Sequence, residues 1–435
     1  MGTESEKGLP IVEVDAKPVA NEAKPEAKLP PLWRNRDYML LWSGQVVSSF
    51  GGGMSNFALP LLILAITGSP QAAGISGLAG SLPYAIFSLP VGALMDRWDR
   101  KRVMISCDLV RALNIATIPI ALYFNVLTIW QIYINAFIEG SAFVFFNIAE
   151  VAALPRVVDK AQLPAASAQN SFAETAVGLI SPPISGFLFK SISRVFPFIF
   201  DAVSYAASVI SLSLIKTRFQ MERVKSERNL RREIGEGLSW LWRQPVIRFM
   251  AFLSGFFNIL SSANFLILIL LAKERGADEP SIGLMFSISA VGGLIGAALG
   301  SYFQKHFSFG QVIIGTTLVQ VLIYPLFLPA PNIIVIGVIN AVIYMTVPIQ
   351  IVTLFSYRLA LIPDRLQGRV NSAVRLIAFS GLPIGSLVGG LLLQQIGTTN
   401  TIIVFSVWML IVGLLAVFNP HLRNVPPIEQ VQPVD

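Results

Sequence analysis

Charge is what this 435-residue chain has little of. Asp, Glu, Lys and Arg together make up 13% of it, against about 25% in an ordinary soluble domain, so a water-facing surface could not be covered. Cysteine is nearly absent, and Cys107 alone builds neither a disulfide framework nor a cysteine metal site. The only histidines are His306 and His421, and both fall outside the long apolar runs. No Gly-Lys pair of a P-loop occurs, which argues against ATP-driven chemistry. What is present instead is 54% hydrophobic residues and 33 glycines. A polytopic membrane protein is the class that remains, and it is expected to be all-α, because the apolar runs are continuous and do not alternate at period two as barrel strands do.

Twelve runs are long enough to cross a bilayer: 38–66, 72–95, 103–124, 128–151, 167–189 and 196–215, then 247–271, 281–303, 309–328, 332–354, 370–393 and 401–418. Residues 1–31, with Lys, Glu, Ala and Pro interleaved, read as a disordered tail rather than a signal peptide. The polar stretch 216–246 reads as a loop dividing two six-helix bundles, 32–215 and 247–419, and 420–435 forms a C-terminal tail. About 27 of the 32 Lys and Arg residues fall in the tails and in the loops on one side of this layout. The bias places both termini in the cytoplasm and accounts for the net charge of +7 without nucleic acid as a partner. The halves also echo each other: Asn170, Ser171 and Pro182 recur at one offset as Asn371, Ser372 and Pro383, each set after a basic loop (Leu154, Pro155, Arg156; Ile362, Pro363, Arg365).

Between the second and third runs stand Gly92, Asp96, Arg97, Asp99, Arg100, Lys101 and Arg102. The chain here resembles the major facilitator superfamily, whose loop at this point carries Gly, then Asp-Arg, then an Arg-Lys pair. The resemblance implies two six-helix bundles and a conformational gate. In that gate Asp96 meets the facing bundle and Arg97 or Arg100 pairs with an acidic group, for which Glu150 is available. The alternative is that these charges only enforce topology. Finer features resemble the drug and siderophore exporters of the superfamily, including the macrolide-efflux and enterobactin-export branch. They are Leu41-Trp42-Ser43-Gly44-Gln45 with Ser48, the Asp108 to Arg111 segment, Leu154-Pro155-Arg156 with Asn170, the Asp201 to Tyr205 segment, and Glu236-Gly237-Leu238. Gly178, Pro182, Pro183 and Gly186 resemble the superfamily's antiporter motif, with Pro182 in place of its glycine; Gly and Pro are also common in membrane helices generally.

An ionisable group inside a bilayer costs about 2.5 to 3.5 kcal/mol even on a lenient scale, and few are present. Asp108 and Arg111, three apart, can neutralise each other. Asp201 lies near the start of its run, where Arg194 or interfacial water satisfies it. Glu139 and Glu174 have no cation within a helical turn, and the last six runs hold no Asp or Glu. Proton coupling therefore falls to carboxylates of the first half, Glu139 first, then Glu174, Asp108 and Asp201; the alternative for Glu139 is a protonated carboxyl bonded to a neighbouring helix. Gln45 and Asn56 with Asn258, Asn264, Gln320 and Asn340 are the expected polar lining of a largely apolar cavity, and interhelical hydrogen bonding is the alternative for each. Gly51-Gly52-Gly53 marks an unwound or closely packed point in the first run.

The function expected from these residues and that resemblance is secondary active transport. A proton-coupled exporter of amphiphilic drug, macrolide or siderophore molecules comes first, and an importer or uniporter on the same fold second. A membrane enzyme is disfavoured, since no catalytic cluster is visible; no metal and no cofactor is expected. The expected partners are the substrate, protons and the lipid bilayer, and the chain is expected to act as a monomer in the bacterial inner membrane.

Overall fold

Helix starts are written into the sequence as polar caps. In the computed structural model, Asn35, Asp99, Thr128, Asp278, Ser308 and Asn332 each accept a hydrogen bond from the backbone N–H three residues on, satisfying a donor that the first turn leaves unpaired. Residues 30–95, 97–220, 230–363 and 366–423 are described. Asp96, Arg365, the 1–29 segment, 221–229 and 424–435 lie outside the described residues, as does the side chain of His421.

The first half comprises α1 (Arg36–Thr67), α2 (Pro70–Met95), α3 (Arg100–Tyr123), α4 (Ile129–Val157), α5 (Leu163–Ser191) and α6 (Phe196–Leu214). A further helix, α7 (Leu230–Arg243), lies in the stretch that the sequence reading left as a loop. The second half comprises α8 (Pro245–Glu274), α9 (Glu279–His306), α10 (Phe309–Ile323), α11 (Ile333–Leu361), α12 (Gln367–Phe379) and α13 (Gly381–Phe418). No strand occurs among the described residues.

Ten helical stretches among the described residues are long and apolar enough to cross a membrane. One of them, Gln367–Phe418, is 52 residues long and breaks at Gly397, whose φ of 75° is a left-handed conformation that glycine adopts without steric cost. Beside the ten, α2 runs for 26 residues without a charged side chain. Large apolar residues such as Trp130, Val203, Ile210 and Leu322 are more than half exposed, a surface suited to lipid rather than water.

Helices α1 to α6 pack among themselves, as do α8 to α13, and the halves meet chiefly along two seams, α5 on α9 and α2 on α13. Both seams depend on small residues. A Cβ on Gly283 would lie 2.6 Å from Pro183 Cα, and one on Gly390 would lie 2.7 Å from Gly74 Cα, so each pair of backbones can touch only because a side chain is missing. Pro183 has no N–H to give to the carbonyl of Leu179, four residues back; Ser287 of α9 donates to that carbonyl instead, at 2.6 Å. A helix defect on one side thus becomes a cross-seam hydrogen bond. The span 5 motif residues Pro182, Pro183 and Gly186 all lie on this seam, against Gly283, Glu279 and Pro280, while Gly178 has open space around it.

The seams lie toward the end where α1 turns into α2. There Lys190 pairs with Asp278 at 2.6 Å and Ser69 donates to Gln394 at 2.8 Å. Asp278 also accepts from Ser281 N–H, and with Lys190 beside it the carboxyl is held down to about 2. The opposite end carries α7 and is called the linker end below. Toward it the first turns of α5 are exposed, Phe172 and Glu174 among them.

Candidate functional site

One guanidinium organises the polar interior of the first half. Arg111, midway along α3, donates through Nε to Glu139 Oε1 at 2.7 Å, and its Nη2 lies 2.6 Å from the same oxygen. Tyr205 of α6 donates to that oxygen too, at 2.8 Å, and the guanidinium carbon sits 4.1 Å from the centre of the Tyr205 ring. Asp108, expected as Arg111's own counter-charge, is the more distant partner, at 3.8 Å; its other oxygen accepts from Ser208 at 2.6 Å. The pair three apart along α3 therefore serves as a bridge, and the main partner comes from α4.

Asp201 completes the group, on the same face of α6 as Tyr205 and Ser208. It is 1% exposed and forms no ion pair with Arg194 among the described residues, because its side chain points inward to α1. A Cβ on Gly51 would lie 2.9 Å from Asp201 Oδ1. Gly51, Gly52 and Gly53 lie within an unbroken helix, so they serve close packing and not unwinding. Glu139 Oε2, Asp108 Oδ1 and Asp201 Oδ1 are buried without a hydrogen-bond partner. Three carboxyls thus surround one cation, and each keeps an oxygen free.

Glu139, Asp201 and Arg111 also face a cavity of about 670 Å³ between the halves, within the usual range for a small-molecule site. Asn56 lies on the same wall, and Phe265, Leu266 and Leu382 of the second half oppose them. The cavity is mainly apolar, with its charge confined to one side. At its linker-end margin Tyr84 of α2 meets Phe379 of α12 at 4.9 Å between ring centres and accepts from Arg375 at 3.2 Å. A larger recess of about 820 Å³ between α1, α3 and α6 holds no carboxylate and opens between exposed apolar side chains.

Of the six polar residues expected to line the cavity, Asn56 alone does so. Gln45 lies against Glu150. Asn258 donates to the Ser254 carbonyl of its own helix. Asn264 donates to Asn340 at 3.1 Å between α8 and α11, and Gln320 to Thr346 at 2.6 Å between α10 and α11. The amides of Asn264 and Gln320 thus hold helices together. Tyr84 and Phe379 are site residues with no signal in the sequence, whereas Tyr205 ends the exporter-like Asp201 to Tyr205 segment and shares the helical face of Asp201.

The gate residues sit at the linker end. Asp99 caps α3, accepting from the Arg102 N–H. Arg100 donates to the carbonyls of Ala152, in the last two turns of α4, at 2.7 Å and of Phe219 at 3.3 Å, and Lys101 to that of Ile215, just beyond α6, at 2.6 Å, so both basic groups bond to backbone carbonyls. The expected ion pair of Glu150 with Arg97 or Arg100 does not form. Glu150 and Ala152 lie two apart, about 200° round the helix, so Glu150 is buried against α1 while Arg100 meets the other face. Arg97 and Arg102 are exposed and Gly92 has open space around it. Asp96 and any contact it makes lie outside the described residues. Glu174 is exposed on α5 and apart from the Arg111 group. No cluster of three or more metal-ligating side chains occurs among the described residues.

Comparison with known proteins agrees with this architecture. The chain is 26% identical over 410 residues to the multidrug efflux pump Tap of Mycolicibacterium fortuitum, covering 89% of this chain and 96% of that protein. It is 26% identical over 396 residues to macrolide efflux protein A of Streptococcus pyogenes, covering 88% and 94%. Among solved structures it superposes on the nucleoside transporter NupG with a TM-score of 0.71 at 11% identity, covering 90% of this chain and 100% of that one, a likeness of fold. Residues 27–433 match the family described as transmembrane secretion effector, and the chain belongs to that family, as a multi-pass membrane transporter of the major facilitator superfamily.

Proposed function

We propose that this transporter exports amphiphilic small molecules by alternating access, and that protons drive it through the carboxyls gathered round Arg111. The observation that carries this reading is Glu139, which lines the inter-bundle cavity, is tied to Arg111 and Tyr205 and keeps its second oxygen free. A group that faces substrate and can also take a proton is what coupling requires. With the linker end cytoplasmic, as the placement of Lys and Arg favours, the packing corresponds to a state closed to the outside by the α5/α9 and α2/α13 seams.

Twelve passes in two six-helix bundles, acting as a monomer in the bacterial cytoplasmic membrane, rock about these seams. Arg111 lies between Glu139 and the more distant Asp108, so a proton on Glu139 removes the charge that holds the guanidinium and hands it to Asp108. The change loosens Tyr205 and the cavity wall together. Movement of one proton down a 100 mV potential supplies about 2.3 kcal/mol, enough for a modest concentration ratio of substrate. The apolar wall of Phe265, Leu266 and Leu382 facing a carboxylate wall suits an amphiphile, as do the efflux pumps to which the chain is similar. The gate residues Gly92, Asp96, Arg97, Arg100, Lys101 and Arg102 act at the cytoplasmic end, and Glu174 remains a secondary proton site.

The test is efflux of a fluorescent amphiphile from proteoliposomes with and without an imposed proton gradient. Extrusion against a concentration gradient only when protons can enter is the expected result. Equilibration at the same rate in both conditions would contradict export by proton coupling.

A further inference from the structure

α7 is a two-faced helix, and beside its buried face lies a second apolar strip that is largely exposed. Trp240 and Leu241 are buried in the second half's core. Gly237 packs on the Arg369 backbone, and Glu236 pairs with Arg369 of α12. On the flank of this buried face, Leu238 and Trp242 are 41% and 55% exposed. Trp242 turns its ring to Phe252 on the exposed side of α8, 6.0 Å away edge-on, and Arg248 sits 5.6 Å from the same ring. A tryptophan lying on a membrane helix at its polar end, with arginines beside it, marks the headgroup layer.

Next to it runs a groove of about 190 Å³ between α8 and the end of α13, lined by Arg248, Phe249, Phe252, Phe256, Leu415 and Asn419. Arg248 is its only charged residue. One of its nitrogens donates to the Trp242 carbonyl at 2.9 Å, which fixes the guanidinium at the groove mouth with other donors still free. Arg243, at the end of α7, is exposed and has no ion pair among the described residues.

We propose that this groove binds one anionic phospholipid of the linker-side leaflet, with the phosphate between Arg243 and Arg248 and part of an acyl chain along Phe249, Phe252 and Leu415. Charge complementarity selects the occupant. Arg248 lines the apolar slot, Arg243 follows directly on Trp242, whose carbonyl Arg248 holds, and no carboxylate lines the slot among the described residues, so an uncharged amphiphile would leave the guanidinium donors unused. The bound lipid would hold α7 in the membrane surface, and with it α12 through the Glu236 and Arg369 pair.

The experiment uses the full-length protein in phosphatidylcholine vesicles carrying trace spin-labelled phosphatidylglycerol or spin-labelled phosphatidylcholine, and reads the protein-associated fraction of each. Phosphatidylglycerol is expected to associate in excess. The excess should fall about five-fold for each of Arg243→Gln and Arg248→Gln, the equivalent of about 1 kcal/mol per basic side chain at a membrane surface. A control pair at the same end, Arg34→Gln with Arg36→Gln, should leave it in place. Arg243 is exposed and makes no ion pair among the described residues, so that variant remains readable if Arg248→Gln fails to fold. Equal association of the two lipids, an excess unchanged in Arg243→Gln, or an equal loss in the control pair would each overturn the proposal.

Discussion

The first half of the molecule pairs a single guanidinium with the carboxyls of Asp108 and Glu139 and buries a third carboxyl, Asp201, on α6, whereas the second half buries amides and hydroxyls: Asn264 on Asn340, Gln320 on Thr346, and Gln350 on Thr316. A neutral interhelical pair in a membrane is worth about 1 kcal/mol and changes little with pH or voltage. A buried charge group is costly to assemble, and its state depends on where the protons are. The two halves are thus distinguished by chemistry on the same helix-bundle plan.

The largest expected effect comes from removing the one cation. Arg111→Gln leaves Glu139, Asp108 and Asp201 unpaired in the interior and should cost about 3 to 5 kcal/mol, read as loss of folded protein in detergent. Adding Glu139→Gln should recover much of it, since the uncompensated charge is removed with its partner; no recovery would mean that Arg111 acts by packing alone. In the second half, Asn264→Leu should lower stability by about 1 kcal/mol, checked by thermal unfolding, with gradient-driven transport retained. Loss of coupling there would erase the distinction between the halves. The smallest effect belongs to the exposed pair across the α5/α9 seam. Lys190→Gln should leave the thermal unfolding midpoint close to that of the wild type, because an exposed pair contributes little.

That pair also fixes a pH window. The Asp278 carboxyl is held below its ordinary value, at about 2, so its contribution is present above the ordinary carboxylate value of about 3.9 and is lost as the pH falls through about 2. Between pH 5 and 8 the pair stays constant. Transport in Lys190→Gln should therefore keep the wild-type pH profile over that range, and a shifted profile would locate a titrating group at the seam.

Much of the fold was legible because apolar length and cap residues are local properties. The apolar runs need no knowledge of neighbours, and the gap between 370–393 and 401–418 coincides with the break at Gly397. The helix α7 was not read, because its polar composition masked the spacing of Leu230, Ile234, Leu238 and Leu241. At the site, Glu139 stood out as an ionisable residue in an apolar run, but its partner did not. Arg111 has Asp108 nearby in sequence, and only packing of α3 on α4 decides that Glu139 lies closer. The amides of the second half misled for the same reason. A residue type tells that a hydrogen bond is needed, and burial decides whether a helix or a substrate supplies it.

Whether proton and substrate meet at Glu139 is decided in proteoliposomes carrying wild-type protein or Glu139→Gln, by substrate exchange at zero gradient and uphill efflux under an imposed proton gradient. The expected result is that Glu139→Gln retains exchange, because the cavity and the seams are intact, and loses uphill efflux. Uphill efflux at the wild-type rate in that variant would contradict the account.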